Sequence, residues 1–134
     1  MIVDTSALLA ILQNEESADA AVATLIASAP RIAAPTLVEA RVVVGARYGV
    51  VGLRRLEALL RQFEIEVAAF DERHADAAAL SYREFGKGSR HPAQLNLGDT
   101  FSYALASVED EPLLYVGDDF SRTDIRSALE EYGG

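Results

Sequence analysis

The chain has 134 residues, which suits a single domain over residues 1–134, and half of them are apolar, enough to form a core. Its net charge of −9 differs from the basic surface with which most nucleic-acid-binding proteins neutralise phosphates. Without cysteine, the chain has no disulfide scaffold, thiol nucleophile or thiolate metal site. It has no apolar run long enough to span a bilayer and no signal-peptide pattern, so we expect a cytoplasmic protein without a membrane anchor.

Short apolar runs that favour strands alternate with longer segments whose apolar residues recur at helical spacing. The predicted elements, in chain order, are strand 1–3, helices 6–14 and 16–29, strand 31–34, helices 36–49 and 53–63, strand 65–70, helices 72–85 and 100–108, and strand 112–116. Gly49 and Gly52 separate the two middle helices, residues 86–98 form the longest predicted loop, and residues 125–129 fit a last strand or a helical turn. This alternation predicts an α/β fold of three layers, with a central parallel sheet between helices.

Acidic residues follow two of the predicted strands. Asp4 comes directly after strand 1–3, and Asp118 and Asp119 lie in the loop after strand 112–116. Ligands of parallel α/β sheets bind beyond the carboxyl ends of the strands, so we expect these acids at the binding edge. Asp4 also suits the cap of the following helix, and Asp118 and Asp119 also suit a solvated turn.

Two further acids lie on helices that are expected to pack near the same edge. Glu39 stands among apolar residues, and burial of its carboxylate requires a metal ion or a partner such as Arg41 or Arg47. Asp99 begins the last predicted helix, where the helix dipole favours negative charge, and the preceding Gly98 leaves room for a close approach. Carboxylate oxygens suit Mg²⁺ or Mn²⁺, and such a cluster is typical of metal-assisted phosphodiester hydrolysis.

Four stretches contain these acids in an order and spacing that resemble the PIN domain of VapC ribonuclease toxins: MIVDTSALLAIL, APTLVEARVVV, FGKGSRHPAQLNLGDTFSYALA and PLLYVGDDFSRTDI. The resemblance covers nearly the whole chain and implies a PIN-like α/β/α fold. It implies an endoribonuclease that hydrolyses RNA with Mg²⁺ or Mn²⁺ and inhibits translation. The catalytic acids that it implies are Asp4, Glu39, Asp99 and Asp119, with Asp118 as the alternative to Asp119. Asp4 and Asp99 are the implied direct metal ligands.

The resemblance also implies supporting residues and partners. Ser6 matches a position that supports the first Asp, and Asp124 is a peripheral candidate. A VapB-type antitoxin is expected to cover the active site with its C-terminal segment and to insert an arginine among the acids. A toxin homodimer is also expected, with the apolar helical segments 16–29 and 51–63 as candidate contact surfaces.

Substrate contacts in so acidic a chain are expected from the loop before Asp99. Its basic residues, Lys87, Arg90 and His91, suit RNA phosphates, although a solvated loop fits them equally well. Two alternative functions remain: a PIN-type module that binds without catalysis, and a phospho-receiver domain. A receiver needs two acids after its first strand, whereas Asp4 stands alone.

Overall fold

Short strands and helices alternate in the structure, a computed structural model that describes residues 1–132. The elements are, in chain order, β1 (Ile2–Val3), α1 (Thr5–Leu12), α2 (Ala18–Ala27), β2 (Arg31–Ala33), α3 (Ala34–Gln62), β3 (Glu66–Ala68), α4 (Glu72–Phe85), α5 (Leu97–Glu109), β4 (Leu113–Leu114) and α6 (Ala128–Tyr132). The strands form one sheet in the order β3-β2-β1-β4, and every pairing is parallel. The predicted α/β class and parallel sheet are confirmed.

The two residues of β1 divide the core between the two faces of the sheet. Val3 packs in a cluster with residues of α1, α2 and α3, including Leu8 and Leu25. Ile2 packs on the other face, in a cluster that contains Leu105 of α5 and Phe120. Side chains that alternate along a strand point to opposite faces, so the sheet forms the middle of three layers. No helix within residues 1–132 is both long and apolar enough to cross a membrane.

Helix α3 consists of two helical segments that meet at a kink, so the two predicted helices and the break at Gly49 are confirmed. Its backbone leaves helical geometry at Gly49, where φ is 64° and ψ is −154°, a conformation that glycine adopts without a steric penalty. Gly52 remains helical, so the predicted break at that residue is wrong. A Cβ atom on Gly52 would lie 2.4 Å from the Cβ of Tyr48, which shows that this glycine permits close packing instead.

Parallel pairing determines which loops meet at the edge of the sheet. Val3 pairs with Leu114, and the amide of Asp4 donates to the Leu114 carbonyl at 2.9 Å. The carboxyl ends of β1 and β4 therefore lie side by side. Asp4 and the loop that follows β4 are brought to the same edge, where ligands of such sheets bind. The chain after that loop makes a bridge from Ser127 to Leu113 before α6 begins.

Candidate active site

One cavity of about 260 Å³ collects all four acids that the sequence singles out as catalytic candidates. We call it the acidic cavity, and its lining residues are Asp4, Thr5, Ser6, Leu9, Glu39, Val43, Arg47, Asn96, Asp99 and Asp119. The acids come from the end of β1, from α3, from α5 and from the loop after β4. Segments that are distant in sequence thus converge on one site.

Asp4 is buried, and its two carboxylate oxygens have different partners. Oδ1 accepts a hydrogen bond from the Ser102 hydroxyl at 2.6 Å, whereas Oδ2 accepts from the Ser6 hydroxyl at 2.7 Å and the Ser6 amide at 3.0 Å. Burial raises the pKa of Asp4, and the hydrogen bonds from Ser102 and Ser6 oppose that rise. Asp4 caps α1, yet a carboxylate has about four lone-pair sites, so capping leaves acceptor capacity for a metal.

Glu39 lies on α3 without an ion-pair partner among residues 1–132. Arg41 pairs instead with Glu57, at 2.9 Å between Nε and Oε1. The Thr5 hydroxyl donates to Glu39 Oε1 at 2.6 Å. Burial raises the pKa of Glu39, the hydrogen bond from Thr5 lowers it, and the negative charge of Asp4 raises it further. The carboxylate therefore lies near another negative charge with only a neutral donor to stabilise it.

Asp99 is held at the start of α5 by a reciprocal pair of hydrogen bonds with Asn96. The Asp99 amide donates to Asn96 Oδ1 at 2.9 Å, and the Asn96 amide donates to Asp99 Oδ2 at 3.0 Å. Burial raises the pKa of Asp99 to about 7, against the effect of the hydrogen bond from Asn96, and the charges of Asp4, Asp119 and Glu39 raise it as well. Asp99 is thus close enough to the other three acids to interact with their charges.

The loop after β4 brings Asp119, rather than Asp118, to the acidic cavity. Gly117 turns the backbone with a φ of 100°, and Phe120 is buried against Tyr115 with 5.2 Å between the ring centroids. Asp118 is exposed, does not line the cavity, and accepts a hydrogen bond from Ser121 through its carbonyl oxygen. Asp119 is exposed as well, but it lines the cavity.

The donor chemistry of the acidic cavity fits a hard divalent cation. Its acidic residues offer only oxygen ligands, which Mg²⁺ and Mn²⁺ prefer. Three of the carboxyl groups have a raised pKa, and a bound cation would offset the repulsion between them. As they stand, no three acidic or imidazole groups within residues 1–132 surround a common point at ligand distance. The residues therefore fit a metal in chemistry and location, with the carboxylates grouped around the cavity rather than closed on one position.

The other predicted site residues occupy different places. Ser6 links two elements, since its hydroxyl donates to Asp4 and accepts from the Val116 amide at 3.1 Å. Asp124 lines no part of the acidic cavity and accepts a hydrogen bond from the Tyr103 hydroxyl. The chain therefore supports Asp4 through Ser6, while Asp124 braces the surface of α5.

The predicted basic residues Lys87, Arg90 and His91 also lie outside the acidic cavity. Lys87 and Arg90 are exposed. His91 braces its own loop, because its Nδ1 accepts from the Ala93 amide at 3.1 Å and its ring meets Phe85 edge-on at 4.7 Å between centroids. None of these three residues therefore lies among the acids of the cavity.

Sequence reasoning missed several polar residues that position the acids. They are Thr5, Thr36, Asn96 and Ser102, which form hydrogen bonds with the acids or with one another. Two of them had a recognisable signal. Asn96 stands three residues before Asp99, the spacing of a capping box, and Ser102 stands three residues after it, on the same side of the helix.

The comparisons with known proteins agree with this geometry. The PIN-domain profile matches residues 1–126. The chain belongs to the PIN-domain family. It is 48% identical over 129 residues to Ribonuclease VapC42 of Mycobacterium tuberculosis, covering 96% of this chain and 98% of the relative. It is 44% identical over 132 residues to Ribonuclease VapC28 of the same organism, covering 97% and 98%. The resemblance to VapC ribonucleases is confirmed, and PIN-domain VapC ribonucleases are in general metal-dependent.

Solved structures share the fold at lower identity. VapC20 of Mycobacterium tuberculosis, described as a sarcin-ricin loop cleaving toxin, superposes with a TM-score of 0.72 at 16% identity, covering 92% of this chain and 95% of that one. FitAcB from Neisseria gonorrhoeae superposes with a TM-score of 0.65 at 20% identity, covering 94% of each chain. The PIN-like α/β/α fold is confirmed by these similarities.

Proposed function

We propose that this chain is a Mg²⁺- or Mn²⁺-dependent endoribonuclease, the toxin of a toxin–antitoxin pair, which hydrolyses RNA and thereby inhibits translation. The observation that supports this most directly is the convergence of four carboxylates on one cavity. Burial raises the pKa of Asp4, Glu39 and Asp99, the charges of neighbouring acids raise the pKa of Glu39 and Asp99 further, and a divalent cation would offset that repulsion. The full-length relatives named VapC ribonucleases support the same activity.

Asp4 and Asp99 would hold the catalytic ion, and Glu39 and Asp119 would complete the cage or hold a second ion with the attacking water. A bound divalent ion supplies a water of lowered pKa and positive charge beside the phosphate. Ser102 and Ser6 keep the Asp4 carboxylate in one orientation, and the Asn96 pair does the same for Asp99. Rigid carboxylates of this kind reduce the reorganisation that the reaction requires.

In the proposed reaction, water attacks phosphorus in line with the leaving 3′ oxygen. The bond between phosphorus and that oxygen breaks, and the oxygen takes up a proton, leaving a 3′-hydroxyl and a 5′-phosphate. Arg47 is the one basic residue in the lining of the acidic cavity, and it makes no ion pair within residues 1–132. Its guanidinium is therefore available for a phosphate oxygen of the substrate.

The proposed partners match two surfaces of the chain. An antitoxin whose C-terminal segment carries an arginine would complement the acidic cavity in charge. A homodimer would cover apolar side chains that the monomer exposes, among them Ile26 of α2 and Val50 and Val51 of α3, which are 72%, 64% and 68% exposed. Sedimentation of the isolated chain tests the dimer, and Val51→Glu is expected to shift it to the monomer.

Cleavage of labelled single-stranded RNA by the purified chain tests the proposed activity. The reaction is run with Mn²⁺, with Mg²⁺ and with EDTA, beside Asp99→Asn and the control Asp118→Asn. We expect cleavage only with metal, near-complete loss in Asp99→Asn, and retention in Asp118→Asn because its side chain lies outside the cavity. Equal cleavage by wild type and Asp99→Asn would contradict the proposal, and no cleavage without metal binding would indicate a module that only binds.

A further inference from the structure

A second cavity, of about 500 Å³, lies between the end of α4 and the loop that follows it. We call it the basic cavity, and its lining residues are Ala79, Tyr82, Arg83, Lys87, Gly88 and Ser89. It contains two cations and no acid. Glu84 is the only acidic residue between Ala77 and Gly98, in a chain whose net charge is −9. The surface around this cavity is therefore cationic, although the chain as a whole is acidic.

The two cationic side chains of the basic cavity form no ion pairs that would stabilise the fold within residues 1–132. Neither Arg83 nor Lys87 forms an ion pair with a carboxylate of residues 1–132, and both are exposed. By contrast, Arg31, Arg41 and Arg126 pair with acids. Proximity to the C-terminal end of α4 favours positive charge but does not require a cavity. An anionic ligand would use both side chains together.

The loop that forms one wall of the basic cavity is braced rather than loose. The amide of Lys87 donates to the Leu95 carbonyl at 2.8 Å, and the Leu95 amide donates to the Phe85 carbonyl at 2.7 Å. Within the loop, the Gln94 side chain donates to the carbonyls of Ser89 and His91 at 2.9 and 2.6 Å. These contacts hold the backbone of Lys87 in place before any ligand binds, which reduces the entropic cost of binding.

The same contacts connect the basic cavity to the acidic cavity. Leu95 closes the base of the loop beside Lys87, and the next residue, Asn96, lines the acidic cavity and orients Asp99. The backbone of Lys87 is thus one hydrogen bond and one residue away from a residue that lines the acidic cavity, so the two cavities have neighbouring walls. Tyr82, whose ring packs against Gly86, adds an aromatic wall.

We propose that the basic cavity is a second substrate-binding site, in which Arg83 and Lys87 contact phosphates of single-stranded RNA that flank the cleaved one. This inference rests on the proposed function, because it assigns the same RNA to both cavities. It replaces Arg90 and His91 of the predicted basic loop with Arg83, a residue of α4. The acidic cavity then carries out cleavage, and the basic cavity supplies affinity that its acids cannot.

The test measures RNA binding separately from cleavage. Asp99→Asn in EDTA serves as the background, and binding of a fluorescein-labelled single-stranded RNA of about 12 nucleotides is followed by anisotropy over a range of salt concentrations. Arg83→Gln with Lys87→Gln is compared with Arg41→Gln and Arg73→Gln. The control pair removes the same charge from exposed arginines of α3 and α4 that line neither the basic nor the acidic cavity and lie outside the candidate dimer surface. All four side chains are exposed, so folding is expected to be preserved, as thermal denaturation verifies.

We expect the Arg83 and Lys87 pair of changes to weaken RNA binding about tenfold, at roughly threefold for each contact. The salt slope is expected to fall by about 1.4, since each lost phosphate contact on a single strand contributes about 0.7. The control pair is expected to change affinity by less than about twofold. In the active chain, the same two changes should raise KM and leave kcat unaltered.

Several results would overturn the inference. One is equal loss of affinity in the test and control pairs, which would indicate general electrostatics rather than a site. Another is no measurable RNA binding by Asp99→Asn alone. A third is tight binding of oligoglutamate that depends on Arg83 and Lys87 when RNA binding does not, which would assign the cavity to an acidic polypeptide. RNA binding with the expected pattern but no metal-dependent cleavage by wild type would refute the proposed function and leave this site standing.

Discussion

Gly98 allows a direct test of the role of Glu39, because the two residues are in contact where α5 packs against α3. A Cβ atom added to Gly98 would lie 1.6 Å from Glu39 Oε2 and 2.6 Å from its Cδ. No real contact is that short, so Gly98→Ala must displace the Glu39 carboxylate. The sequence suggested that this glycine makes room for a ligand, whereas the structure shows that it makes room for a neighbouring acid.

The expected effects of Gly98→Ala on stability and on activity differ greatly in size. Alanine is favoured over glycine in a helix by up to about 1 kcal/mol. The displaced carboxylate loses its hydrogen bond from Thr5, worth about 1.5–3 kcal/mol, but leaves a position where burial and Asp4 disfavour its charge. We therefore expect the free energy of unfolding to change by no more than about 1 kcal/mol. A misplaced catalytic group costs about 100-fold, which is the loss of kcat/KM that we expect.

Two controls isolate the contact. Gly45→Ala introduces the same methyl group into α3, where its Cβ would meet Leu53 at an ordinary 3.5 Å, and it should retain activity. In a Glu39→Gln background, Gly98→Ala should cause no further loss, as a double-mutant cycle would show. Cleavage rates and thermal denaturation are measured on all variants. Wild-type activity in Gly98→Ala would refute the reasoning, because Glu39 would then not be needed where it lies.

Three further predictions follow from the site. The metal-free chain should lose stability as the pH rises from about 4 to about 7, because the raised pKa of Asp99 makes the folded state bind the proton more tightly than the unfolded state. The loss due to Asp99 should be about 2 kcal/mol after screening by water in the cavity. Asp99→Asn should therefore lose less stability than wild type over this range, with Asp4 and Glu39 still contributing, and Mn²⁺ should offset the loss in thermal denaturation. Asp119→Asn should lower kcat/KM at least about 100-fold while Asp118→Asn stays near wild type; the reverse order in cleavage assays would exchange their roles. Ser102→Ala should destabilise the fold by about 1.5–3 kcal/mol in denaturant unfolding, because a buried charged acceptor, Asp4, loses a donor; an unchanged midpoint would show that water replaces it.

The sequence predicted the layers of the fold because apolar residues recur at different spacings in its strands and in its helices. The two residues of β1 are both buried, and a short fully apolar run is what a parallel strand covered on both faces requires. The ends of elements were less predictable. Only Leu113 and Leu114 of the five residues from 112 to 116 are in β4, since strand pairing with β1 ends where the two loops diverge.

Three acids of the site were predictable from their positions, since Asp4 and Asp119 follow strands and Glu39 lies where an unpaired charge is costly. Asp99 begins a helix, where the dipole favours its charge, so the preceding Gly98 and the family resemblance were needed to single it out. The residues that support these acids were not predictable, because contacts such as that of Ser102 with Asp4 join residues far apart in the chain. The contact between Gly98 and Glu39 depends on the packing of α5 against α3, which no local pattern encodes. The basic cavity likewise combines Arg83 of a helix with Lys87 of a loop. The sequence pattern indicated only the loop residue, because the packing that brings Arg83 beside it is not visible in the sequence.

Four acids that form one metal-dependent hydrolytic centre must leave defined ends on the RNA, and end-group analysis of the products identifies those ends. RNA cleaved by wild type with Mn²⁺ is examined for its new termini, beside Asp99→Asn under the same conditions. We expect 5′-phosphates and 3′-hydroxyls that appear only with metal and only in the wild type. Cyclic 2′,3′-phosphates would show that the RNA's own 2′-hydroxyl attacked, and the same products from Asp99→Asn would show that another enzyme made the cuts; either result would refute a hydrolytic centre that depends on Asp99.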